Sequence, residues 1–176
     1  MKIDAAVELI IPDNTAFTVL TALRQLGAQD LTAVERSEHF ILTVADGARA
    51  DDVVRQLARA EVVFNPNKHR MSYCVEGEAP AMEPPQFEAF VRDRDEDNRR
   101  LVKLLTGTFG MSVLRDVERS MGWRLFDARG PAPRERLEWA CHELLANPVS
   151  QRYDIRPRPV RTSVREPAAE LAKEGR

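Results

Sequence analysis

The chain has few cysteines, no excess of basic charge and no long apolar run, and each shortage removes a class of protein. Only two cysteines, Cys74 and Cys141, occur in 176 residues. They form no Cys-x2-Cys spacing, and His39, His69 and His142 form no His-x3-His pair, so no metal site is expected. Two unpaired cysteines suit a reducing compartment, and the expectation is a cytoplasmic protein with buried thiols. With 26 Lys and Arg against 28 Asp and Glu, the net charge is -2, too little positive field to gather nucleic acid. No apolar stretch has membrane-spanning length, and Asp4 and Glu8 interrupt the N-terminal run to Ile11, which reads as neither signal peptide nor membrane helix. A Gly-x-Ser-x-Gly elbow, a Gly-x4-Gly-Lys-[Ser/Thr] loop and a Gly-x-Gly-x2-Gly turn are all missing, so the sequence predicts no catalytic residues and no cofactor.

What the chain does contain is a repeat. Val34-Glu35-Arg36-Ser37 returns as Val117-Glu118-Arg119-Ser120, an offset of 83 residues that also relates Phe40 to Trp123, Leu42 to Leu125 and Gly47 to Gly130. Asp13-Asn14 meets Asp97-Asn98 at an offset of 84, and Asn65-Pro66 meets Asn147-Pro148 at 82. An ordered ladder of matches with single-residue slips at loops marks a duplication. The reading divides the chain into a first unit at 1–76, a proline-rich linker at 77–85, a second unit at 86–156 and a flexible charged tail at 157–176.

Hydrophobic period gives each unit the same element order. Ile3, Ala5, Val7 and Leu9 alternate as a strand, Asp13 or Asn14 caps a helix with Phe17, Leu20, Leu23 and Leu26 on one face, and Gly27 ends it. Residues 31–37 and 39–44 read as two strands about a tight turn, followed by a helix with Val53, Val54 and Leu57 inward and a last strand through Met71, Tyr73 and Val75. The second unit repeats this, with Pro131 and Pro133 introducing a helix whose inner face is Leu137, Ala140, Cys141, Leu144 and Leu145. The expected fold is α+β: two tandem ferredoxin-like β-α-β-β-α-β sandwiches, each an antiparallel four-stranded sheet with both helices on one face. Their open faces, with Ala6, Ile10, Val34, Ile41, Phe90 and Phe126, are too apolar to stay wet, which predicts face-to-face packing as an internal pseudo-dimer.

The binding candidates are polar clusters at turns. Asn65-Pro66-Asn67-Lys68-His69-Arg70 offers donors for an anionic ligand, but asparagine turns and a proline stop explain the segment equally well, and its echo at Asn147 lacks the Lys and His. Arg36 and Arg119 recur in both units, placed to meet a phosphate, a partner carboxylate or the neighbouring Glu35 and Glu118.

The segments Val113-Leu114-Arg115-Asp116-Val117-Glu118-Arg119 and Ala140-Cys141-His142-Glu143-Leu144-Leu145-Ala146-Asn147-Pro148-Val149, with Tyr153, resemble the C-terminal two-thirds of the PurS family. The segment from Asp13 to Gly27 is similar to that family's first helix and its closing glycine. The resemblance implies a non-catalytic, ferredoxin-like scaffolding subunit of phosphoribosylformylglycinamidine synthase. Such a subunit dimerises through its sheets and bridges the glutaminase and synthetase subunits in purine biosynthesis. Typical members are half this length and carry Gly-Lys after the arginine, where this chain has Ser37-Glu38 and Ser120-Met121. The alternatives are a diverged paralogue with a different partner, or an ACT-like tandem module that binds small metabolites.

Overall fold

A computed structural model of the chain describes residues 1–164. Strand β1 (Lys2–Leu9) leads to helix α1 (Asn14–Gln25), strand β2 (Leu31–Val44), helix α2 (Ala50–Leu57) and strand β3 (His69–Val75). The second repeat supplies β4 (Phe87–Asp93), α3 (Arg99–Gly107), β5 (Leu114–Asp127), the short β6 (Gly130–Pro131), α4 (Arg134–Ala140) and β7 (Gln151–Pro157), after which comes β8 (Thr162–Ser163). Local signals act as expected at several ends. Asp13 Oδ1 accepts the Thr15 and Ala16 amides at 2.9 and 3.1 Å, satisfying two donors that the first turn of α1 leaves open. Pro133 precedes α4, and a wide π-helical turn over Cys141–Leu145 follows it. That extra residue per turn brings Leu145 into the core and leaves Leu144 exposed, where regular helical spacing puts both inside.

The fold is α+β, with a single antiparallel eight-stranded sheet in the order β7-β4-β5-β2-β1-β3-β8, β6 attached to β5, and four helices among the described residues. Two expectations are corrected. The tight turns predicted inside 31–44 and 113–126 do not form: β2 and β5 are continuous strands of 14 residues each. No residue near Ser37-Glu38 favours positive φ, and Gly122, beside Ser120-Met121, is not at positive φ but continues the strand, so neither chain reverses. The repeats also do not stack face to face. β2 and β5 pair antiparallel along their whole length, so the units join edge to edge.

The long strands place the halves of each repeat in different cores. One buried cluster joins Ile3, Val7, Phe40, Leu42, Val54 and Leu57 to Leu105, Met111 and Val117, so α3 of the second repeat packs beside α2 of the first. The other joins Leu20, Leu23, Leu31 and Val34 to Ala89, Trp123, Leu125, Leu137 and Ile155, so α1 packs with α4. Val34, expected on the open face, points to this helical side. The polar run Glu35 to Glu38 marks where β2 leaves the cover of one helix pair and enters that of the other.

Residues 158–161 link β7 at one edge of the sheet to β8 at the other. Six strand spacings of about 4.8 Å make about 29 Å across a flat sheet, and five residue steps reach at most about 18 Å, so the sheet curls around the face opposite the helices. The link and the linker run antiparallel over that face: Met82 N donates to Arg158 O at 2.9 Å, and Val160 N to Pro80 O at 2.8 Å. The expected flexible tail is thus corrected for 158–164, which form this strap and the edge strand β8 on β3. The rest of the expected tail, 165–176, lies outside the described residues.

Candidate functional site

Strand alternation decides what lies under the strap. Ile3, Ala5 and Val7 face the helices, which leaves Asp4 and Glu8 on the curled face, with Ser37 and His39 of β2, Glu88 of β4 and Arg124 of β5. All six are buried. His39 Nδ1 meets Asp4 Oδ1 at 2.8 Å, His39 Nε2 meets Ser37 Oγ at 2.9 Å and Glu88 Oε1 at 3.2 Å, and Ser37 Oγ donates to Glu88 Oε1 at 2.9 Å. Arg161 reaches from the strap to Asp4, donating to its main-chain oxygen at 3.0 Å and making a second contact with its carboxylate. The cluster forms because position 122 is glycine. A Cβ there would lie 2.5 Å from Glu88 Oε1 and 2.7 Å from His39 Nε2, so only a residue without one lets β4 and β2 side chains meet across β5.

Ser37, His39 and Asp4 have the contact order of a hydrolytic triad, but the serine proton is directed elsewhere. Burial disfavours the imidazolium, yet the Asp4 and Glu88 carboxylates outweigh it and raise the His39 pKa. Burial likewise opposes ionisation of both acids, and contact with His39 and Arg161 holds them below the usual carboxylate range. Ser37 Oγ gives its one proton to Glu88 Oε1, so the hydroxyl faces His39 Nε2 as an acceptor and not as the donor a triad base needs, and Ser37 is 2% exposed. The arrangement is an internal ion cluster that fastens strap to sheet.

A second cluster adjoins it. Glu8 Oε2 accepts from Arg70 Nε at 2.6 Å, and Glu8 Oε1 from Arg124 Nη2 at 2.7 Å and Arg158 Nη2 at 3.4 Å. Burial opposes ionisation of Glu8, but the three guanidinium groups prevail and lower its pKa. Arg70, Arg158 and Arg161 then line a cavity of about 580 Å³ beneath the strap, with Phe64, Met82 and Val160 among its apolar lining.

The sequence candidates divide between turns and clefts. Asn65 Oδ1 accepts the Asn67 amide at 3.0 Å, while the Asn65 amide donates to His69 Nδ1 at 3.1 Å. In the second repeat Asn147 Oδ1 accepts the Val149 amide at 2.9 Å, and the Asn147 amide donates to Gln151 Oε1 at 2.9 Å. Both asparagines therefore build the same turn, and Lys68 is exposed beside it. His69, whose Nδ1 accepts the Asn65 amide, also borders the cavity. Arg36 is held by Asp13 Oδ2 at 2.6 Å, and Arg119 lies 3.9 Å from Glu96 and 5.7 Å over the Phe40 ring. These arginines line two equivalent clefts of about 230 and 170 Å³, one on each side of Glu38 and Met121. Asp4, Glu8, His39, Glu88, Arg124, Arg158 and Arg161 were not among the sequence candidates. Acidic residues at alternate positions of an apolar strand were the one available signal.

Compared with known proteins, the chain matches no family model and no curated protein. No described helix is long and apolar enough to cross a membrane.

Proposed function

We propose that this chain is a non-catalytic scaffolding subunit of the PurS kind, working in the cytoplasm to bridge the glutaminase and synthetase subunits of phosphoribosylformylglycinamidine synthase. The observation that carries the reading is the β2–β5 ladder, in which corresponding strands of the two repeats pair about a local two-fold relation, with Ser37 opposite Gly122 and His39 opposite Ser120. An isologous dimer of a single-repeat subunit, fused into one chain, would be joined in this way. We read each lobe as a ferredoxin-like sandwich with four antiparallel strands under two helices, assembled from parts of both repeats. Asp4, Ser37, His39 and Glu88 are engaged with one another, which suits a protein whose task is shape.

Size-exclusion chromatography with the glutaminase and synthetase subunits of the same organism tests the proposal. In the presence of glutamine and ADP the three chains are expected to co-elute. Separate elution under those conditions would sink it.

A further inference from the structure

We propose that the cavity beneath the strap binds a small organic anion, a carboxylate or phosphate head on an apolar body, with Arg158 as the principal head-group contact. The inference is independent of the scaffolding role. Three observations lead to it. First, the cavity of about 580 Å³ falls within the roughly 300–1,000 Å³ of pockets that hold drug-sized molecules. Second, its lining is mixed: Arg70, Arg158, Arg161 and His69 supply polar and cationic groups, while Phe64, Met82 and Val160 offer apolar surface. A ligand satisfying both has a charged end and a greasy one.

Third, Arg158 is the least satisfied of the three guanidinium groups around Glu8. Both oxygens of Glu8 are engaged by Arg70 and Arg124 at 2.6 and 2.7 Å, and Arg158 has only the longer contact at 3.4 Å. Its guanidinium carries five N–H donors, four of which have no side-chain acceptor among the described residues. Burial and the neighbouring Arg124 charge lower the Arg158 pKa, a cost that an incoming anion relieves. A planar guanidinium with free donors takes carboxylate and phosphate alike.

Isothermal titration calorimetry on the full chain tests this with octanoate and phenyl phosphate as probes, and inorganic phosphate and 1-octanol as controls. At least one organic anion should bind one per chain, at least tenfold more tightly than either control. Preference for octanoate identifies a carboxylate ligand, preference for phenyl phosphate a phosphate ester. Arg158→Gln should weaken that binding at least tenfold. If that variant does not fold, Val160→Glu, on the half-exposed strap, sets a carboxylate beside the cavity and should abolish binding. No stoichiometric binding of either probe, binding of inorganic phosphate as tight as that of phenyl phosphate, or unchanged affinity in the folded variant would overturn the proposal.

Discussion

Glu38 and Met121 face each other at the middle of the β2–β5 ladder, and they are the same position of the two repeats. A local two-fold axis therefore runs between them. Because each core takes parts of both repeats, residues 1–76 alone are not expected to form a folded monomer. They should be unfolded, or paired through β2 with a second copy. That second arrangement sets Glu38 against Glu38, a like-charge pair that costs about 0.2–1 kcal/mol. Glu38→Met in the fragment is expected to tighten its self-association in sedimentation equilibrium. A folded monomer of residues 1–76 would contradict the composite cores.

Gly122 is expected to be the least replaceable glycine. Gly122→Ala drives a methyl group into Glu88 and His39 and should cost about 3 kcal/mol in urea denaturation, the upper range for overpacking a core. Gly107→Ala, at the end of α3 with open space around it, should instead stabilise by about 0.5 kcal/mol.

Stability should fall on both sides of a mildly acidic optimum. The folded state raises the His39 pKa, so its contribution is complete below the ordinary imidazole value of about 6.5 and is lost as pH rises through the higher folded value. Asp4, Glu8 and Glu88 are shifted down, so their contribution is complete above about pH 4.5 and is lost as pH falls below it. Urea midpoints measured from pH 3 to 8.5 should trace both limbs. His39→Gln should flatten the upper limb and cost about 3–5 kcal/mol near pH 6, because two buried carboxylates lose their cation.

Much of the local structure was legible in the sequence, and the long-range partnerships were not. Alternation in β1, the Asp13 cap and the Asn65 and Asn147 turns depend on neighbours a few residues away, so the residue pattern carries them. The continuity of β2 was hidden because Glu35 to Glu38 has the polarity of a turn, yet it is the stretch between two helical covers. The exchange of α1 leaves no local mark, since Leu20 and Leu23 make the same apolar stripe whichever sheet they meet. Arg161 sits in a stretch that reads as solvated, and its acceptor, Asp4, lies 157 residues away.

Arg161 is expected to act as the clasp of the strap. Arg161→Gln removes a cation from Asp4 and should cost about 3 kcal/mol. Hydrogen exchange should quicken at the Val160 and Val164 amides, which donate to Pro80 O and Met71 O. Protection unchanged at those two amides would show that backbone pairing alone holds the strap.

The two asparagine turns should respond alike. Asn65→Ala and Asn147→Ala each lose one side-chain hydrogen bond to the backbone and should each cost about 1 kcal/mol by thermal denaturation. Unequal losses would mean that one turn has a further role.

The composite cores also set the order of events during synthesis. When the ribosome has released only the first repeat, Phe40 and Leu42 lack Leu105 and Val117, and Leu23 lacks Leu137 and Trp123. The nascent β2 then presents an unpaired apolar edge until β5 emerges. Such non-local pairing is slow and exposed to aggregation, so the chain has reason to depend on chaperone cover at half length.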